Sequence, residues 1–329
     1  MYTTTKYQIV EIIKKNGQTQ VKELVQALNI TQAAIHRALN KLIDDHVLVK
    51  KGTPPKVFYF LNKEKKTQEI VSISTKQEKI LDENYIYITP VGKIESGLNG
   101  FMDWMRSTRN MQKPEKCIED YIETLVEANS YKKNNYNLID ATERFNKIFA
   151  TNYLSRIFYH DFYSIIKFGK TKMGQYLLNG KQSQNKAIIK KISETVATDI
   201  EKLIQIEKID AVAWVPHSIP RKVPLLKEME KNLKINLPRI EIIKVYSGDI
   251  PIAQKSLSKL EERIQNARET MVVVPNQIKE KNILLIDDAV GSGATLNEIS
   301  EKLKFKGAKK IIGYAIVGSY KGFEVIKEV

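Results

Sequence analysis

The stretch Asn282-Ile-Leu-Leu-Ile-Asp-Asp-Ala-Val-Gly-Ser-Gly-Ala-Thr295 concentrates the residue types best able to do chemistry in this chain. Four apolar residues, Ile283 to Ile286, predict a buried strand ending in two adjacent carboxylates, Asp287 and Asp288. A loop rich in glycine and hydroxyl groups follows, and Thr295-Leu-Asn-Glu298 predicts a helix that opens in capping-box spacing. The paired carboxylates can accept hydrogen bonds from the vicinal hydroxyls of a ribose. Gly291, Ser292, Gly293 and Ala294 let backbone N–H groups approach a phosphate, and a helix N-terminus adds partial positive charge. The order suits a sugar that carries a phosphate, held beyond the carboxyl end of a strand in an open α/β sheet. The competing reading is an ordinary strand–loop–helix turn whose glycines serve only tight geometry. Against it, adjacent carboxylates at a strand end repel each other unless something cationic or hydroxylic meets them.

This segment resembles the phosphoribosyl-pyrophosphate (PRPP) signature of type I phosphoribosyltransferases: an apolar strand, two acidic residues, two apolar residues and a Thr/Ser-Gly-x-Thr loop. It departs from that signature twice. Ala289 is smaller than the usual branched residue, and Gly291 stands where Thr or Asp is usual. Purine-salvage members use an Asp there to meet the base, so the resemblance supports PRPP binding and argues against purine salvage.

Three further stretches are similar to the ComF-like branch of that family (competence protein F and its relatives). They are Tyr159-His-Asp-Phe-Tyr-Ser-Ile-Ile-Lys-Phe-Gly169, Asp210-Ala-Val-Ala-Trp-Val-Pro216, and Ile250-Pro-Ile-Ala-Gln254 with Leu257, Arg263 and Asn266. With the PRPP signature the resemblance covers about residues 153–320. It lacks the branch's amino-terminal cysteine cluster, and Arg221-Lys-Val-Pro-Leu225 replaces its Arg-Gly-Phe-Asn element. The resemblance implies that Asp287 and Asp288 hold the ribose hydroxyls and a water-bridged Mg²⁺, and that Ser292, Gly293 and Thr295 hold the 5′-phosphate. It further implies that Ser218, Arg221 and Lys222 meet the pyrophosphate, with Lys167 and Arg263 adding positive charge. Each of these basic residues, taken alone, reads equally well as a solvated surface charge.

The elements that must position these residues alternate between strand and helix from about Asn152. Ala211–Val215, Ile240–Val245, Met271–Val274, Ile283–Ile286 and Ile311–Val317 read as strands, and Val223–Leu233, Gln254–Ala267 and Leu296–Lys304 as helices. That alternation predicts a mostly parallel, doubly wound sheet over residues 152–329.

Ahead of it, residues 85–151 carry a strand at Tyr85–Thr89, a turn at Pro90-Val-Gly92, a helix beginning within Phe101–Met105, and helical patterns at Ile118–Ala128 and Leu138–Phe149. Their role is open: dimerisation, or a cap over the carboxy-terminal site. Tyr85, Tyr87, Phe101 and Trp104 read as a small core, not as a base-stacking platform. Residues 63–84 are polar and charged, a linker with some helical character.

Residues 1–62 show a different pattern. A helical stripe (Ile9, Ile12, Ile13) ends at Asn16-Gly17, Thr19 can cap a second helix with Val21, Leu24, Val25 and Leu28 inward, and a third runs from Gln32 to about Asp45. Two strands, Val47–Val49 and Val57–Phe60, flank the basic tip Lys50-Lys-Gly-Thr-Pro-Pro-Lys56. This arrangement resembles the winged helix-turn-helix of bacterial transcription regulators. The resemblance implies that Gln32, His36, Arg37, Asn40 and Lys41 on the third helix face double-stranded DNA, with Lys50, Lys51 and Lys56 on its backbone. A protein-interaction module with merely solvated charges is the other reading.

Composition bounds these readings. A chain of 329 residues with 42% hydrophobic content is expected to form two or three domains with proper cores. No run reaches membrane-spanning length, no signal core follows the amino terminus, and the single Cys117 excludes an internal disulfide; a cytoplasmic homodimer is expected. The net charge of +15 permits nucleic-acid binding without establishing it. Residues 1–84 hold 14 Lys and Arg against 9 Asp and Glu, so the surplus is spread along the chain.

The fusion of a winged helix to a PRPP pocket resembles purine operon repressors, so the expected function is a DNA-binding regulator with PRPP or a nucleotide as effector. The alternatives are an active Mg²⁺-dependent phosphoribosyltransferase and a ComF-like accessory of DNA uptake.

Overall fold

The computed structural model describes residues 5–45, 47–62, 71–110, 112–132, 134–246, 256–257, 259–274 and 278–320. These fall into two compact units, one up to Ile70 and one from Val71 onward.

In the first unit, α1 (Thr5–Asn16), α2 (Val21–Leu28) and α3 (Gln32–Asp44) precede an antiparallel hairpin of β1 (Leu48–Thr53) and β2 (Lys56–Leu61). Apolar residues three and four apart on each helix meet in one core of Ile9, Ile13, Leu24, Ile35, Leu39, Leu42, Leu48 and Tyr59. Thr31 caps α3, its side chain accepting from the Ala34 N–H at 3.3 Å. Thr19 does not cap α2; it exchanges two backbone hydrogen bonds with Tyr59, at 3.1 and 2.8 Å, and so ties the first helical turn to the hairpin. At the hairpin tip Gly52 has φ +90°, and a Cβ there would fall 2.1 Å from the Lys56 carbonyl oxygen, so the turn requires glycine.

The second unit begins with α4 (Thr75–Asn84), a short hairpin of β3 (Ile86–Ile88) and β4 (Ile94–Ser96), α5 (Gly97–Ser107) and α6 (Pro114–Ser130). Next come β5 (Ile139–Asp140), α7 (Thr142–Asn146), β6 (Arg156–Phe162), the hairpin of β7 (Ser164–Ile165) and β8 (Gly169–Lys170), and the helices α8 (Lys172–Ser183) and α9 (Lys186–Ile206). The chain continues through β9 (Ala211–Trp214), α10 (Leu225–Leu233), β10 (Arg239–Ile240), β11 (Ile242–Lys244), α11 (Leu260–Thr270) and β12 (Met271–Val273). It then forms β13 (Asn282–Val290), α12 (Ala294–Phe305) and β14 (Lys310–Gly318).

One six-stranded sheet organises this unit, in the order β10-β9-β13-β14-β6-β5. Its strands run parallel except β5, which pairs antiparallel with β6. Ile283–Ile286 and Ile311, Ile312 and Tyr314–Val317 are all buried, consecutive residues included, so both faces of the sheet are covered. From β9 the chain moves outward through α10 to β10; from β13 it moves the other way through α12 to β14. The crevice between β9 and β13 is therefore the point where connections diverge, the place where open α/β sheets take ligands.

Several elements differ from expectation. Leu138–Phe149 is not one helix: Ile139 and Asp140 pair with β6, Asp140 accepts from the Thr142 N–H at 3.0 Å, and only the short α7 follows. Ile240–Val245 divides between two sheets, because β11 leaves the main sheet to pair antiparallel with β12. The aromatic residues Tyr85, Phe101 and Trp104 do cluster, joined by Tyr121 and Phe168, with Tyr85–Phe101 centroids 4.9 Å apart. They belong to the same core as the sheet, so residues 85–151 pack into this unit.

Candidate functional site

The parallel register brings two strand ends together. Ile286 lies level with Trp214, and the Val215 N–H donates to the Ile286 carbonyl at 2.9 Å, so the loop after β9 and the carboxylates of β13 share one rim. β13 runs on past the carboxylates to Val290, with Asp287 level with Ala315 of β14. Between the rims lies a cavity of about 450 Å³, a size typical of small-molecule sites. A second hollow of about 70 Å³ adjoins it, lined by Arg263, Asp287 and residues 289–296, where α12 begins.

The wall charges are unequal. Lys181, Arg221, Lys227, Arg239, Lys244 and Arg263 line the large cavity against Asp287, Asp288 and Glu230, and Arg239 is engaged by Glu230 at 2.7 Å. His217 also lines it, with its pKa lowered by partial burial and then by the charges of Lys227 and Arg221. Apolar side chains, among them Trp214, Ile219, Leu225, Leu226, Ile242 and Met271, make up much of the rest, with the hydroxyls of Ser218 and Thr295. Charge and lining of this kind would suit an anionic ligand with an apolar portion.

Within it, the two carboxylates have different partners. Asp288 is met by Lys181, Nζ to Oδ2 at 2.7 Å. Asp287 accepts from the Asp288 N–H at 2.7 Å, yet the surrounding protein and then the Asp288 charge push its pKa from 3.8 to about 7, only partly offset by that hydrogen bond and Lys181. Part of Asp287 remains open to the cavity, but enough protein crowds the carboxyl to disfavour its charge. A hydroxyl or cation arriving from a ligand would relieve it.

Gly293, at φ +77°, precedes α12, and a Cβ there would lie 2.6 Å from Cε2 of the fully buried Phe145. The loop is thus seated on α7, an element the sequence left without a role. The capping box expected at Thr295 and Glu298 does not form: α12 starts two residues earlier than expected, at Ala294 with Gly293 as its cap, and buried Glu298 instead takes Arg268 at 2.8 and 3.3 Å.

Of the predicted site residues, Asp287, Asp288, Gly291, Thr295, Ser218, Arg221 and Arg263 line the large cavity, and Ser292, Gly293 and Ala294 the smaller one. Arg263 is buried, its Nε donating to the Leu257 carbonyl at 2.8 Å. Lys222 is exposed and lines neither cavity. Lys167 lies on the β7–β8 turn with φ +72°, exposed, near Asp120 whose carboxyl it helps hold down. The predicted segment Ile250–Gln254 lies outside the described residues. Lys181 was missed: it stands 107 positions from Asp288, and no local motif marks it. As for Mg²⁺, two carboxylates, one already paired with a lysine, do not make a metal cage, and no cluster of three His, Cys, Asp or Glu donors occurs among the described residues.

On the first unit, Gln32, His36, Arg37, Asn40 and Lys41 are all exposed along α3, and Lys50, Lys51 and Lys56 are exposed on the hairpin, Lys51 resting 5.1 Å from the Phe60 ring centre. A helix face and a basic hairpin can meet a groove and its phosphates together.

Residues 3–49 match the winged helix-turn-helix DNA-binding family. The chain is 35% identical over 60 residues to a uracil phosphoribosyltransferase of Oceanobacillus iheyensis, a segment that spans 18% of this chain and 29% of that protein. Among solved structures it is similar to a hypoxanthine phosphoribosyltransferase from Staphylococcus aureus (13% identity, 42% of this chain and 67% of that one, TM-score 0.26). It is also similar to a purine phosphoribosyltransferase from Pyrococcus horikoshii (20% identity, 39% and 81%, TM-score 0.25).

Proposed function

We propose that the chain is a DNA-binding regulator whose α/β unit binds PRPP or a related nucleotide as its effector. The observation that carries this reading is the union, at one strand crevice, of Asp287 and Asp288 with the 291–295 loop and a predominantly cationic wall. The carboxylates would accept from the ribose hydroxyls. The loop and the N-terminus of α12 would take the 5′-phosphate, while Arg221 and the loop after β9 would meet the pyrophosphate. Any Mg²⁺ would arrive on the ligand's own pyrophosphate oxygens, because Asp288 is already met by Lys181. The winged helix would read an operator through α3 and steady itself through the hairpin lysines. Ligand would alter DNA affinity by favouring one arrangement of the protein over another.

A working transferase is the second reading, favoured by the partial identity to a uracil phosphoribosyltransferase. Two assays on the full chain separate them: operator selection from random duplexes, and pyrophosphate release from PRPP across a panel of nucleobases. Selection of a defined duplex without turnover supports the regulator. Turnover that is lost in Asp287→Asn reverses the ranking.

A further inference from the structure

The ammonium of Lys181 stands where a divalent cation would be expected beside paired strand-end carboxylates. Its Nζ is 2.7 Å from Oδ2 of Asp288, and both side chains are mostly buried, at 18% and 17% exposure. The position is held from behind. The Lys181 carbonyl accepts from Arg221 Nη1 at 2.5 Å, and Oε1 of Gln184, the residue that ends α8, accepts from the Val223 N–H at 2.8 Å. Two hydrogen bonds therefore fasten the end of α8 to the loop after β9, and Lys181 reaches across the crevice from that anchored end to β13.

The charge arithmetic of the crevice gives this contact a consequence. Two bare carboxylates repel a polyphosphate ligand, and a metal ion normally cancels that repulsion by bridging acid and phosphate. Here one of the two carboxylates is already neutralised by the chain itself, and no third metal donor stands with them among the described residues. Arg221 and Arg263 line the same cavity. We infer that Lys181 is the resident counter-ion of this site: it neutralises Asp288 in place of a divalent metal, so that a phosphorylated pentose binds with little dependence on Mg²⁺. The inference rests on reading the cavity as a PRPP site.

The test is calorimetric titration of the full chain with PRPP, in excess Mg²⁺ and in EDTA, for wild type and Lys181→Met. Wild-type affinity should differ by no more than about threefold between the two conditions, whereas Lys181→Met should bind about tenfold or more weakly in EDTA than in Mg²⁺. Circular dichroism checks that the variant is folded; should it unfold, Lys181→Gln, which keeps a polar end, takes its place. Wild-type binding that disappears in EDTA, or a Lys181 variant as indifferent to metal as wild type, overturns the inference while leaving the PRPP reading intact. Absence of wild-type binding in both conditions overturns the PRPP reading and the inference with it.

Discussion

Replacing Gly293 with alanine tests how the loop before α12 is seated. The residue holds φ +77°, which costs an L-residue about 1–2 kcal/mol. The new methyl would also lie 2.6 and 3.1 Å from two carbons of the Phe145 ring and 3.4 Å from Phe149. Phe145 is fully buried, so its ring cannot swing into solvent to make room, and overpacking of this kind adds about 1–3 kcal/mol. The sum, about 2–5 kcal/mol, corresponds to a fall in melting temperature of roughly 5–15 °C for a unit of this size. Both tryptophans, Trp104 and Trp214, belong to the unit from Val71 onward, so tryptophan fluorescence during heating follows that unit selectively. Combining the change with Phe145→Ala should cost less than the two single losses added, because the truncated ring makes room for the methyl. A Gly293→Ala chain that melts with wild type would refute the claimed seating of the loop on α7.

Other predictions follow from the same contacts. Because the folded-state pKa of Asp287 is raised from 3.8 to about 7, folding binds its proton more tightly, and this group's contribution to stability falls as pH climbs from about 4 to about 7. Asp287→Asn should therefore be more stable than wild type above pH 7 and similar to it below pH 4 in denaturant titrations; a constant difference across that range would contradict the burial argument. Thr31→Ala, which removes the α3 cap, should cost about 0.5–2 kcal/mol and weaken DNA binding along with it. Alanine at Lys50, Lys51 and Lys56 together should reduce the slope of log affinity against log salt by about 2.7, as expected for three lost phosphate contacts. An unchanged slope would remove the hairpin from the interface.

What the sequence made legible was local. The run from Ile283 to Thr295 contains its own strand, loop and helix start, so consecutive residues define most of one wall of the site, and the residues assigned there do gather. The three helices and hairpin of the first unit were legible for the same reason, through helical spacing and a turn of known chemistry. Long-range geometry was not. Lys181 meets Asp288 only because α8 packs beside the sheet, a contact no spacing encodes. The helix that carries it could have been found, since Met173, Tyr176, Leu177 and Gly180 fall on one buried face, as do Ile189, Ile192, Val196, Ile200 and Leu203 of α9. The motif assigns Lys167 to the site, but the residue lies exposed on the β7–β8 turn and lines neither cavity. The Thr295–Glu298 spacing misled because buried Glu298 is committed to Arg268.

The most direct measurement is calorimetric titration of the intact chain with PRPP in the presence of Mg²⁺, repeated with Asp287→Asn/Asp288→Asn. Saturable binding to the wild type, lost in the double variant while its fluorescence melt shows an intact fold, is the predicted result. No binding to wild type, or binding that ignores both substitutions, would contradict the assignment of this crevice.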